Sequence, residues 1–210
     1  MLKKIEEEAK AALNSARGSH DYEHTMRVYK LAIQIGKKEK ADMKILCTAA
    51  LLHDIGRCHE DKAKGKICHA EEGAKMAEEI LKKQNYAPKE IDEITHCIKS
   101  HRFRGKNIPE SKEAKVLFDA DKLDSIGAVG IGRTFLFAGE IGARLHNPSP
   151  DISKEAEYTK EDTAFREFTV KLKHIKDRML TKEGKRIAKK RHKYMVDFFT
   201  RLNRENAGEL

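Results

Sequence analysis

The order of apolar and polar residues follows helical periodicity along most of the chain. Residues 22–37 carry apolar side chains at positions 28, 31, 32 and 35, which lie on one face of a helix. No alternation typical of a β-strand persists in any segment. The pattern predicts an all-α protein. Its helices are expected near residues 2–15, 22–37, 41–55, 69–84, 88–102, 112–122, 125–145, 161–178 and 182–203.

The predicted helix at residues 41–55 is apolar nearly all round, so it is expected at the centre of the fold. It ends at His53 and Asp54, just before Gly56, which is expected to adopt a left-handed conformation after the helix. Carbonyl groups make this helix end electronegative, so a carboxylate is disfavoured there unless a cation lies beside it. Adjacent helical side chains diverge by about 100°, and an ion between them can bind both. The His53–Asp54 doublet therefore indicates a metal site.

Composition narrows the class of protein. The chain has 210 residues and is 39% hydrophobic, which fits a single domain spanning residues 1–210. It shows no membrane-length apolar run, a polar start unlike a signal peptide, and four cysteines without a C-x-x-C pair. These features favour a reduced, cytoplasmic protein without a membrane partner. The net charge of +9 favours an anionic partner such as phosphate, nucleotide or nucleic acid, although it is equally consistent with a charge pattern that serves solubility.

Histidine and aspartate residues form the main chemical pattern. Seven of the ten histidines fall between residues 20 and 101, and three aspartates crowd the segment FDADKLD at residues 118–124. Imidazole and carboxylate ligands without thiolates suit Mn, Fe, Co, Ni, Zn or Mg ions. The doublet at residues 20–21 precedes a helix, so Asp21 is expected to cap that helix. A zinc site built on Cys58–His59 and Cys68–His69 lacks the close spacing of structural zinc sites and is the weaker alternative.

These residues resemble the HD-domain metal-dependent phosphohydrolase superfamily, in its HDIG form. HDIG stands at residues 53–56, HDYEHTMRV at 20–28 is similar to the first-helix motif, and DADKLDSIGAVGIGR at 119–133 is similar to the closing motif of small bacterial and archaeal members. The resemblance covers about residues 15–145. It implies an HD-domain-like helical bundle, on which helices at about 161–203 pack. It also implies one divalent metal ion held by His24, His53, Asp54 and Asp121.

The resemblance also assigns roles around that ion. His69 and His101 match positions where dinuclear members place extra ligands, but Ser100–His101 replaces the paired histidines of the HD-GYP type. One ion is therefore expected, with His69 and His101 contacting phosphate or the nucleophilic water. Some nucleotidase members carry a glutamate for acid–base chemistry where this chain has Arg57. The resemblance therefore does not identify a general acid in this chain. A guanidinium there suggests a phosphate clamp, and the alternative is a surface pair with a nearby acid.

The expected activity is metal-dependent hydrolysis of a nucleotide or another small phosphate ester or anhydride. Asp54, His69 and His101 are the predicted catalytic residues, and the predicted substrate-binding residues are Arg57, Lys122 and Arg133. The alternatives are a dinuclear phosphodiesterase and a non-catalytic HD protein that binds nucleotide or nucleic acid. Residues 185–193 contain six Lys or Arg and are interpreted as the outer face of an amphipathic helix, with nucleic-acid binding as the second possibility. The sequence leaves the oligomeric state open.

Overall fold

The computed structural model describes residues 2–14, 21–103 and 106–210, and within them the chain forms α-helices and two 3₁₀ helices but no strand. This confirms the all-α prediction. The helices are α1 (Leu2–Ala12), α2 (Tyr22–Glu39), α3 (Met43–Leu52), α4 (Arg57–Lys62), α5 (His69–Lys83), α6 (Pro88–Ser100), α7 (Lys112–Asp124), α8 (Gly127–Glu140), α9 (Ala164–Val170) and α10 (Lys182–Asn206), with 3₁₀ helices at Ile152–Lys154 and Leu172–Arg178. Each helix within the described residues is too short or too polar to span a bilayer.

Two stretches differ from the sequence prediction. The segment expected as one helix over residues 161–178 divides at Lys171, whose φ of −135° separates α9 from the second 3₁₀ helix. Helix α4 falls in a stretch where the sequence predicted no helix, because six residues are too few to show a helical period.

Gly56 serves a different purpose from the one predicted. Its φ of −79° is right-handed, and it precedes α4 instead of closing α3 with a positive φ, so the expected left-handed cap was wrong. A Cβ at this position would overlap the carbonyl oxygen of His69 and lie 2.6 Å from the backbone nitrogen of Gly73. Glycine is therefore required for close approach: it lets the start of α5 pass directly against the turn that follows the doublet.

The contacts between Cα atoms divide the chain into two compact units. The first unit comprises residues 1–121 and 180–184, and the second comprises 122–179 and 185–210. The division falls within α7, after Asp121. The single domain expected over residues 1–210 stays a prediction.

Helix α3 is the centre of the first unit. Its residues 45–52 are all buried, as the continuous apolar run predicted. It packs against α1, α2 and α6, while α5 packs against α4 and α6. The carboxylate of Asp42 starts α3 by accepting hydrogen bonds from the N–H groups of Lys44 and Ile45 at 2.8 and 3.2 Å. The fully buried α3 thus delivers the doublet to the interior of this unit.

Asp119 attaches residues 180–184 to α7 within the first unit. Its buried carboxylate accepts hydrogen bonds from the backbone N–H groups of Leu180 and Thr181, each at 2.8 Å, and from the Thr181 hydroxyl at 2.6 Å. Burial raises the pKa of Asp119 despite these donors. With its oxygens committed to this segment, Asp119 is a structural residue.

The second unit has an aromatic core. The rings of Phe168 and Phe199 stack at 4.5 Å between centroids, and Phe135, Phe165 and Phe198 lie around them. These rings come from α8, α9 and α10. The buried side of α10 also includes Ile187, Ala188 and Met195, and its basic residues 185, 186, 189, 190 and 193 remain exposed or partly exposed. This confirms the amphipathic helix predicted for the C-terminal stretch.

We expect Gly56→Ala to lower the free energy of unfolding by about 2 kcal/mol or more, because backbone atoms must move to admit the methyl group. The matched control is Gly132→Ala in α8, where a Cβ meets nothing within 4 Å. There the better helix propensity of alanine should stabilise by up to about 1 kcal/mol. Urea unfolding of the two variants measures both values. Equal free energies of unfolding for the two variants would show that the backbone at Gly56 can shift to admit a Cβ at little cost.

Candidate metal centre

Five helices of the first unit bring the predicted ligands together. His24 lies in the first turn of α2, where its backbone N–H donates to the Asp21 carboxylate at 2.9 Å and confirms the predicted N-cap. The doublet follows α3 directly, and the remaining candidates stand at the start of α5, the end of α6 and near the end of α7. The other member of the doublet at residues 20–21, His20, lies outside the described residues.

A first ligand group consists of His24, His53 and Asp121. One donor atom from each of these residues lies within 4.8 Å of the others. The Nε2 atom of His24 is 3.5 Å from Oδ1 of Asp121 and 3.7 Å from Oδ2 of Asp54. His53 Nε2 is 3.9 Å from the same Asp54 oxygen. The four residues predicted as metal ligands therefore converge in one place.

A second ligand group consists of Asp54, His69 and His101, again within 4.8 Å of one another. Oδ1 of Asp54 lies 3.2 Å from His69 Nε2 and 3.6 Å from His101 Nε2. The two oxygens of Asp54 thus face different groups: Oδ2 faces the first and Oδ1 faces the second. The predicted catalytic residues His69 and His101 do adjoin the doublet.

Hydrogen bonds to the main chain fix two of the imidazoles. His53 Nδ1 lies 2.8 Å from the carbonyl oxygen of Ala50, and His101 Nδ1 lies 2.6 Å from that of Ile98. A carbonyl can only accept, so both Nδ1 atoms carry the proton and each Nε2 of a neutral ring offers a lone pair. Within the described part of the chain, His53 Nε2 is buried without a hydrogen-bond partner. A buried lone pair aimed at carboxylates is a suitable donor for a cation.

The protonation states of His53, His101 and Asp54 also favour a bound cation. Burial lowers the pKa of His53 to about 4 and also lowers the pKa of His101, so both rings are neutral at pH 7. Burial opposes the charge on Asp54, but Arg57 and the surrounding imidazoles hold its pKa well below the usual value. His69 Nε2 lies 3.2 Å from the acceptor Nε2 of His101 and 3.2 Å from the acceptor Oδ1 of Asp54. A cation bound between these three atoms would make that arrangement favourable.

Arg57 lies beside the doublet, as predicted. Its Nη2 atom is 3.3 Å from each oxygen of Asp54, and its Nη1 atom donates to Glu60 at 2.9 Å. The pair with Glu60 matches the alternative weighed from sequence. However, the Arg57 side chain is only 16% exposed and also neutralises a buried carboxylate, so it is more than a surface ion pair.

Glu60 and Arg102 are site residues that the sequence analysis missed. The Glu60 carboxylate accepts from His69 Nδ1 at 2.6 Å and from Arg102 Nη1 at 2.8 Å. Glu60 therefore orients His69 so that its Nε2 faces Asp54, a relation common around metal-binding histidines. The i, i+3 spacing from Arg57 was the available signal for Glu60. Arg102 lies 42 residues away from Glu60 in sequence, so no local sequence signal pointed to their contact.

The other chemical candidates have different surroundings. Arg133 belongs to the second unit, where its Nη1 donates to the buried Asp124 at 2.8 Å. Lys122 is the first residue of that unit. The predicted phosphate-binding roles of both stay predictions.

Among the described residues, neither ligand group contains a cysteine, so the alternative zinc site gains no support.

Comparison with known proteins places this fold in a class. A model of the HD domain matches residues 21–126. The Bacillus subtilis protein YpgQ is 36% identical over 200 residues, which cover 93% of this chain and 89% of YpgQ. The crystal structure of YpgQ in complex with ADP has a TM-score of 0.75 at 30% identity, with 98% of this chain and 97% of that chain covered.

An HD-superfamily hydrolase from Bacillus thuringiensis is equally similar. It has a TM-score of 0.75 at 30% identity, with 97% of this chain and 95% of that chain covered. The fold is thus that of HD-superfamily hydrolases. The chain belongs to the HD-domain family, as its motifs predicted.

We expect the metal-free protein to lose stability as the pH falls from about 6.5 to about 4. In this window the unfolded His53 binds a proton and the folded His53, with a pKa of about 4, does not. The loss amounts to up to about 3 kcal/mol. Urea unfolding in a chelator at several pH values measures it. His53→Gln should flatten the slope, whereas His59→Gln, at a side chain 46% exposed, should keep it. A stability that rises on acidification contradicts the expectation.

Proposed function

We propose that the protein is a metal-dependent phosphohydrolase that acts on a nucleotide or another small phosphate ester or anhydride. The observation that carries the proposal is the convergence of both ligand groups on the buried carboxylate of Asp54. A buried aspartate surrounded by neutral imidazoles suits a divalent ion of the Mn, Mg, Co, Ni, Fe or Zn type. Membership of the HD-domain family supports the hydrolase class.

The residues that would hold the ion are His24, His53, Asp54 and Asp121. An ion bound there would supply a water of lowered pKa and would polarise a phosphoryl oxygen. Asp54 shares its charge between the two ligand groups, and its Oδ1 can orient the water toward phosphorus. The Nε2 atoms of His69 and His101, on the same side of Asp54, can accept hydrogen bonds from that water or contact phosphate.

Arg57 is the proposed phosphate clamp. Its guanidinium now spans Asp54 and Glu60, so part of its donor set is already aligned at the doublet. A phosphate oxygen would offer the same guanidinium an alternative acceptor if a cation held at the site offset the charge of Asp54. Charge-assisted hydrogen bonds of this kind hold the charge that develops on a phosphoryl group.

One observation supports a nucleotide over other phosphate esters, and a second supports an anionic substrate in general. The related YpgQ was crystallised in complex with ADP. The net charge of +9 also favours an anionic substrate.

The second ligand group supports an alternative with two ions. Asp54, His69 and His101 alone provide three donors, and Asp54 Oδ1 is separate from the oxygen that faces the first group. In a dinuclear phosphodiesterase, Asp54, His69 and His101 would hold a second ion, which would supply further Lewis-acid chemistry. The single-ion arrangement is our primary proposal because Ser100–His101 stands in place of the paired histidines of the dinuclear HD-GYP type.

We expect Asp54→Asn to reduce hydrolysis by at least about 100-fold and to weaken metal binding, since the shared ligand loses its charge. A panel of nucleotides and general phosphatase substrates, assayed with Mn²⁺, Mg²⁺, Co²⁺ and Ni²⁺, measures the first effect. Elemental analysis of dialysed protein measures the second. Asp92→Asn, at an exposed position of α6, is the control with the same chemical change and should retain both properties. Undiminished hydrolysis by metal-free Asp54→Asn would refute the mechanism.

We expect His101→Ala to leave one bound ion per chain while it lowers kcat/KM by about 100-fold, because the lost imidazole contacts water or phosphate. The number of ions per chain, measured by elemental analysis, separates the two arrangements. If the wild-type protein holds two ions and His101→Ala holds one, the second ligand group is a metal site and the dinuclear alternative is correct.

A further inference from the structure

A positively charged groove of about 810 Å³ lies in the second unit. It runs beside the 3₁₀ helix Leu172–Arg178 and the first half of α10. Asp177 is the single acidic residue in the described lining, and its carboxylate accepts from the adjacent lysine, Lys176, at 2.8 Å. The lysines that line the groove are Lys176, Lys185, Lys189, Lys190 and Lys193.

Three lysines of α10 lack the paired glutamate that some other lysines of the chain have. Lys82 and Lys171 each lie four residues after a glutamate and pair with it. In contrast, Lys185, Lys189 and Lys193 follow one another at i, i+4 spacing. None of these three lies within 4.0 Å of a carboxylate among the described residues. Like charges at this spacing destabilise a helix by about 0.2–0.5 kcal/mol per pair, so an external anion would relieve a real repulsion.

The spacing fits a polymer of phosphates better than a single phosphate. With a rise of 1.5 Å per residue, the three lysines form a row with steps of about 6 Å. The four lysines of α10 that line the groove are exposed, so they can follow an extended backbone without desolvation. Burial and Lys176 lower the pKa of the groove residue His192, so the lysines supply the positive charge at neutral pH.

We propose that this groove binds the phosphate backbone of duplex DNA without reading its sequence. A duplex carries about one negative charge per 1.7 Å, which is the high charge density that a row of lysines can neutralise. The described lining contains no Phe, Tyr or Trp ring on which an unpaired base could stack, and such stacking is what single-strand sites use. Lysine also suits contacts to phosphate that need charge and no fixed geometry.

The groove is separate from the proposed chemistry. None of its lining residues belongs to either ligand group or to the predicted substrate-binding set. Hydrolysis of a small substrate is therefore expected to survive substitutions in the groove. The proposal consequently stands or falls independently of the proposed function.

The test is fluorescence anisotropy of a labelled duplex of about 20 base pairs, titrated with protein between about 50 and 200 mM salt. The groove variant combines Lys185→Gln, Lys189→Gln and Lys193→Gln. The control variant combines Lys75→Gln, Lys82→Gln and Lys89→Gln, whose side chains are 77%, 62% and 88% exposed in the first unit. Both variants lower the net charge by three, from +9 to +6.

The groove variant should bind at least about tenfold more weakly at low salt. Its plot of log K against log salt should be shallower by about 2.7, since each lost phosphate contact removes about 0.9 from the slope. The control variant should keep the wild-type slope. Circular dichroism and hydrolysis of the small substrate should be unchanged in both. Lys189→Glu alone should also weaken binding, which provides a second variant with only one change.

Several outcomes overturn the proposal. Absence of wild-type binding to the duplex at the lowest salt is one. Equal weakening in the groove and control variants is another, because it would mean that net charge alone drives binding. Stronger binding to a single-stranded oligonucleotide, or binding to vesicles of anionic phospholipid without binding to the duplex, would assign the groove to a different partner.

Discussion

The buried negative charge of Asp54 is the constraint on which the rest of the first unit depends. A carboxylate that is 1% exposed is costly to hold unless charges or hydrogen-bond donors surround it. In this protein Arg57 supplies a positive charge on one side, and imidazoles from four helices cover the others. The apolar surroundings of α3, the narrow turn at Gly56 and the start of α5 all serve to bring those groups around one side chain.

The C-terminal ends of α3 and α6 fix the orientation of two imidazoles around Asp54. His53 and His101 both stand at the C-cap of a helix, and both use Nδ1 to satisfy the carbonyl oxygen three residues earlier. The last carbonyls of any helix lack partners within the helix. In α3 and α6 these otherwise unsatisfied acceptors fix the tautomer of a histidine. One hydrogen bond therefore completes a helix end and aims a lone pair toward Asp54.

The sequence predicted much of this because the relevant signals are local. Helical periodicity located α2, α3, α5 and α6, and the motif order identified the residues that meet at Asp54. Contacts between segments distant in sequence were not accessible. Glu60 lies on α4, which is too short for a periodic pattern, and its partner Arg102 comes from beyond α6. The role of Gly56 was misjudged because close approach to α5 depends on tertiary packing, whereas a left-handed cap is a property of local sequence.

The attachment of residues 180–184 to Asp119 affects when the first unit can finish folding during translation. The ribosome releases α1 to α7 well before this segment, and until then the buried carboxylate of Asp119 lacks its three donors. An unpartnered polar group in a protein interior is destabilising. The first unit therefore reaches its final stability only when residues near the C-terminal helix have emerged. Translation must pass through residues 122–179 of the second unit before the unit that carries the candidate metal centre is complete.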